Sequence, residues 1–146
     1  MTKHRLGVKG RKLAGSSSLR ALVKIMDMLL SPGGCPWDRR QTHSTLLKYL
    51  REESGEVSQA VRRRDWDNLR EELGDVLLQV VFHSALARRA GHFSLGDVIK
   101  TVNSKMVRRH PHVFGGSGLD TPAQVLRQWK IIKRAEKKKR RGGKRS

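Results

Sequence analysis

The chain has 146 residues, with 32 Lys and Arg against 13 Asp and Glu, a formal net charge of +19 and a single cysteine. This length favours one domain with a modest core; the lone Cys35 excludes an intrachain disulfide, and no apolar run approaches the roughly 18 residues needed to span a membrane. The charge suggests a nucleic-acid binder until it is localised: residues 1–20 hold six basic and no acidic side chains, residues 130–146 hold ten basic ones beside Glu136, and residues 21–129 hold sixteen against twelve.

Residues 1–17 are basic but lack the apolar stretch of a secretory signal, and glycines at 7, 10 and 15 argue against an organellar transit peptide. With one cysteine and no membrane segment, a cytoplasmic location is expected. This segment and the end Lys137 to Ser146 are too polar and self-repelling to bury anything, so both are expected to be disordered, beside a helical domain over residues 18–132 and a basic tail over 133–146.

Within that domain the pattern is helical throughout. Ser16 to Ser18 offer N-caps for a helix to about Leu30, with Leu19, Leu22, Val23, Met26, Leu29 and Leu30 at core spacing. Ser31 to Asp38 contains two prolines and two glycines and reads as a loop. A second helix begins near His43 or Ser44 and carries Leu46, Leu47, Leu50, Val57 and Val61. Asp65 can cap a third, in which Leu69, Leu73, Val76, Leu77, Val80 and Val81 form a wide apolar stripe. Gly91 stops it. Ser94 and Asp97 open a fourth helix to about Arg109, and Thr121, Pro122 and Gln124 open a fifth that frays into the basic tail. No segment alternates as a strand. The expected class is all-α, a bundle of about five helices completed by dimerisation.

The second and third helices carry the chemistry. Glu53 and Glu56 share one helix face, as do Glu72 and Asp75. Counted from Arg64 in the turn, Glu56 and Glu72 each lie eight residues away, and Glu53 and Asp75 eleven. A short connection favours antiparallel packing, so at about 1.5 Å rise per residue the pairs sit level. Axes about 8–10 Å apart then point four carboxylates into one small volume. Such a cluster repels itself unless a cation sits within it, and magnesium, with manganese as the alternative, suits oxygen ligands shared with phosphates. The competing reading is a pair of solvated acidic faces beside Arg51, Arg62 and Arg70; four acids in register favour the metal.

Glu52-Glu53-Ser54-Gly55-Glu56 followed by Glu72-Leu-Gly-Asp75 resembles the EExxE…ExxD pattern of the MazG-type nucleoside triphosphate pyrophosphohydrolases. The blocks Gly34 to Asp38 with Gln41 and Thr42, Glu72 to His83, and Lys105 to Phe114 resemble that family too, so the likeness covers about residues 19–132. It implies conversion of a nucleoside or deoxynucleoside triphosphate to the monophosphate and pyrophosphate with magnesium, by a helical fold built from paired chains. By position it implies Glu53, Glu56, Glu72 and Asp75 as metal ligands and Glu52, with Glu53, as the catalytic acids. Lys105, Arg108 and Arg109 match the phosphate-contacting block, and Lys48, Trp37 and Trp129 fall on the substrate side. A triphosphate is only partly neutralised by metal, so cationic side chains must complete its clamp.

Two other function classes compete with the enzyme. One is a dimerising helical module whose basic ends hold nucleic acid; the other is a nucleotide-binding regulator without turnover. His83, His110 and His112 invite a zinc site, but caps or phosphate contacts explain them better. Trp66 and Trp129 read as core, and Arg62 to Arg64 as cations complementing a helix C-terminus. The tail lacks interleaved aromatics, so any polyanion contact there is to phosphate and not to bases.

Overall fold

The computed structural model describes residues 7–116 and 118–143. Among them are eight helices and no strand: α1 (Val8–Ala14), α2 (Leu19–Leu30), α3 (Pro36–Arg39), α4 (His43–Arg63), α5 (Trp66–Arg89), α6 (Leu95–Arg109), α7 (Pro111–Phe114) and α8 (Pro122–Gly142). The five long ones are the five expected. The other three are short additions that periodicity cannot show, because one or two turns contain no repeat.

Local chemistry sets the helix starts. Ser18 Oγ accepts from the Ala21 amide at 3.1 Å, and Asp65 Oδ1 accepts from the Asn68 amide at 3.1 Å. α4 begins at His43, one of the two starts expected, and Thr42 and Thr45 cap it reciprocally. Ser94 and Asp97 exchange bonds at the head of α6, where the Ser94 amide donates to Asp97 Oδ2 at 2.8 Å. Thr121 and Gln124 form a full capping box on α8, with Pro122 in its first turn. Gly91 takes a φ of 76° just beyond α5, the left-handed stop expected there.

The expectation of disorder over residues 1–17 meets a seven-residue α1 that buries nothing; residues 1–6 lie outside the described ones. At the other end α8 continues through residues 137–142, where disorder was expected. Lys, Arg and Ala are strong helix formers, so an established helix propagates through them despite their charge. The Ser31 to Asp38 loop ends in α3, started by Pro36. Its Gly34 is obligatory: a Cβ there would collide with the Leu29 and Met28 carbonyl oxygens.

The chain divides into two compact units, one up to Val98 and one from Ile99. In the first, Met26 and Leu30 of α2, Leu46 of α4, and Val81, Phe82 and Ala85 of α5 form the buried core. Leu22, Val23, Tyr49, Leu78, Leu86 and Leu95 pack around it. α4 and α5 lie alongside each other as an antiparallel hairpin. Between them Arg64 adopts left-handed φ 55°, ψ 34°, and Asp65 already caps α5. The second unit contains most of α6 with α7 and α8.

The apolar stripes are not all covered. Leu47 and Val61 of α4 and Leu73, Leu77 and Val80 of α5 are exposed in the single chain. Trp66, expected in the core, is 69% exposed at the head of α5. No helix among the described residues is long and apolar enough to cross a membrane.

Candidate active site

The two-residue turn fixes the register of the α4–α5 hairpin, and the register brings the acids together. Glu53 and Glu56 of α4 and Glu72 of α5 each place a carboxylate oxygen within 4.8 Å of the others. Glu53 and Glu72 are half-buried and Glu56 is exposed. Asp75, also half-buried, lies outside that closest group but near enough to act on both Glu53 and Glu72.

The electrostatics are those of a charge cluster without a counter-charge. The Glu72 carboxyl is pushed up from an ordinary 4.5 to about 7, first by partial burial and then by its hydrogen bond with Glu56 and the charges of Glu56, Asp75 and Glu53. Glu53 is also raised, by burial and then by Asp75, Glu56 and Glu52. Glu52 is exposed and close enough for its charge to act on Glu53. Three converging carboxylates, which repel one another when ionised, offer the all-oxygen donor set that suits a hard divalent ion.

The other expected contacts lie on several elements of the two units. Lys48 is exposed on the first turns of α4, its Nζ 4.6 Å from the centre of the Tyr49 ring. It lines a shallow recess with Gln41, Ser44, Thr45 and Arg51. Trp37 is half exposed and meets Tyr49 edge-on at 5.6 Å. Nothing in the spacing singles out Tyr49; its position next to Lys48 is the one available signal.

On α6 Lys105 is half-buried, while Arg108 and Arg109 converge on one carboxylate, Glu136 of α8. Arg108 Nε donates to Oε1 at 2.8 Å and Arg109 Nη2 to Oε2 at 2.8 Å. The pair holds Glu136 down at about 2. Trp129 is half-buried against His110 at 5.2 Å, with its indole nitrogen enclosed and unpartnered.

The histidines do not assemble with the acids. His110 Nδ1 lies 2.6 Å from the Met106 carbonyl oxygen and His112 Nδ1 lies 3.1 Å from Gln128 Oε1. His83 pairs with His43 through their Nδ1 atoms at 2.8 Å, and burial followed by the His43 charge lowers its pKa. Among the described residues the three-glutamate group is the one cluster of this kind, and it contains no His or Cys.

This geometry agrees with comparison to known proteins. The MazG nucleotide pyrophosphohydrolase domain matches residues 41–114, a span that contains both acidic helices. The chain belongs to the MazG family. The nucleoside triphosphate pyrophosphohydrolase/pyrophosphatase MazG of Thermotoga maritima is 52% identical over 120 residues, covering 82% of this chain and 46% of that protein. The nucleoside triphosphate pyrophosphohydrolase of Escherichia coli K12 is 44% identical over 117 residues, covering 80% of this chain and 44% of its own length. This MazG chain thus spans less than half of either relative. The crystal structure of a mazG-related protein from Thermotoga maritima aligns with a TM-score of 0.67 at 31% identity, covering 80% of this chain and 99% of that one. Three of the five acids whose spacing resembles the MazG pattern, Glu53, Glu56 and Glu72, are the ones that the hairpin brings within 4.8 Å.

Proposed function

We propose that the chain hydrolyses nucleoside and deoxynucleoside triphosphates to the monophosphate and pyrophosphate, using magnesium or manganese. The observation that carries this reading is the meeting of Glu53, Glu56 and Glu72 within 4.8 Å on two helices of a MazG domain. These three with Asp75 are the residues to hold the ion. When bound, it polarises a phosphoryl oxygen and favours deprotonation of the attacking water.

The chain's own groups supply the remainder. Glu52, at the exposed edge of the cluster, orients the water and takes its proton, while Glu53 fixes its approach. Attack falls at the α phosphorus, and the bond to the α–β bridging oxygen breaks to release pyrophosphate. Lys48, Lys105, Arg108 and Arg109 are proposed to contact the phosphates. That Arg108 and Arg109 already grip a carboxylate through short charged bonds supports their fitness for anionic oxygens. Trp37 and Trp129 are proposed on the nucleoside side, Trp37 being the more accessible.

A homodimer accompanies this reading. Leu73, Leu77 and Val80 recur at helical spacing, and with Leu47 and Val61 they leave an apolar surface that a second copy would cover. The free Cys35 fits a reducing, cytoplasmic setting.

The test is pyrophosphate release from a panel of ordinary and damaged triphosphates with magnesium, comparing wild type with Glu53→Gln and Asp75→Asn. Release by wild type alone supports the proposal. Equal release from all three proteins sinks it, and binding of a non-hydrolysable triphosphate without any release would assign a regulator.

A further inference from the structure

The structure turns the basic end of the chain into an ordered surface. Along α8, Arg127, Lys130, Arg134, Lys137 and Arg141 follow at intervals of three, four, three and four residues, the spacing of a single helix face. All five are exposed, and no ion pair among the described residues engages them. They extend over about 21 Å of helix. Val125, Trp129, Ile132 and Glu136, four of the half-buried residues of the same helix, occupy the opposite side.

The one acid of α8 does not offset this stripe. Glu136 faces Arg108 and Arg109 and is fully used by them. Lys130 with Arg134 and Lys137 with Arg141 are therefore like-charged neighbours at i and i+4, an arrangement that destabilises a free helix. A polyanion removes that repulsion, and the release of its counterions drives the association.

We propose that this face of α8 binds double-stranded DNA through its phosphates, without reading sequence. The function is separate from triphosphate hydrolysis. A helix about 10–12 Å across fits a major groove about 12 Å wide, with arginines and lysines reaching the phosphates on its rims. The stripe contains no Asn or Gln to read base edges and no aromatic to stack on an unpaired base. An anionic bilayer is the weaker fit, because Trp129, the aromatic that would anchor the helix at a membrane interface, packs on the inner side against His110.

The test uses the full chain and a fluorescent random-sequence duplex of about 20 base pairs, titrated from about 50 to 200 mM KCl. Wild type should bind with a salt dependence corresponding to about four released ions. Lys130→Gln, Arg134→Gln, Lys137→Gln and Arg141→Gln together should weaken binding at least about 30-fold and flatten that dependence. A control removing four cations elsewhere, at Arg39, Arg40, Arg62 and Arg63, should stay within about threefold. Hydrogen exchange in α8 should slow on duplex addition in wild type and not in the α8 variant. Absence of duplex binding, equal losses in both variants, or tighter binding to phosphatidylserine vesicles than to duplex would overturn the proposal.

Discussion

Glu56 and Glu72 meet across the α4–α5 hairpin, each eight residues from Arg64, in a hydrogen bond that Glu72 donates only while protonated. Its proton is held to about pH 7 instead of leaving near 4.5. A divalent ion must displace that proton, so its apparent affinity should fall about tenfold for each pH unit below 7 and level off above it. Calorimetric titration of magnesium in two buffers of different ionisation enthalpy checks this. Near one proton should be released at pH 6 and almost none at pH 8.5. Affinity independent of pH would place the ion elsewhere.

The same proton affects stability in the absence of metal. The folded chain binds it more tightly than the unfolded chain, so its contribution is complete below about pH 4.5 and lost as pH rises through about 7. Glu72→Gln keeps the shape and removes the charge. At pH 8, without metal, the variant should melt above wild type, and magnesium should no longer raise its melting temperature. A variant that magnesium still stabilises like wild type would remove Glu72 from the ligand set.

Gly55 interrupts the acidic helix with a residue that nothing nearby requires: a Cβ there would meet no atom within 4 Å. Gly55→Ala should stabilise the chain by about 0.5–1 kcal/mol in urea unfolding. Loss of stability would show that the position is covered in the assembled protein.

Gly34→Ala should do the opposite. Its methyl group would strike backbone oxygens of Met28 and Leu29, which cannot move away as a side chain could. A loss of about 2 kcal/mol or more is expected from the same measurement. An unchanged midpoint would mean that the loop between α2 and α3 relaxes freely.

Glu136 gives the complementary pH dependence. Arg109 and Arg108 hold its carboxyl near 2, below the unfolded value of about 4.5, so its contribution is present above 4.5 and lost as pH falls through about 2. Acid unfolding of Glu136→Gln followed by circular dichroism should lack that component. Superimposable acid limbs would show the pairing to be without consequence.

Much of this architecture is legible in the residues. Ser18, Asp65, Ser94 and Thr121 mark helix starts because their side chains can accept only a few amides at short range. The acidic cluster is legible because a two-residue turn makes counting equivalent to geometry. Counting is less certain at Asp75, which adjoins the three closest carboxylates without joining them. The pairing of Arg108 and Arg109 with Glu136 joins residues 28 and 27 positions apart through long side chains, and no periodicity encodes it. The one-turn helices α3 and α7 leave no repeat to detect. Exposure of Leu73, Leu77 and Val80 is equally hidden, because an apolar stripe reads the same whether its cover comes from one chain or two.

The turn at Arg64 has a bearing on descent. Each residue inserted within α5 between this turn and Glu72 would move Glu72 by about 1.5 Å along the helix and rotate it by roughly 100°, away from its partner. Such a hairpin accommodates replaced side chains more easily than residues added or lost within the helical stretches that lead to the acids. Both helices and their joint must be copied, fused or transplanted as one heritable block.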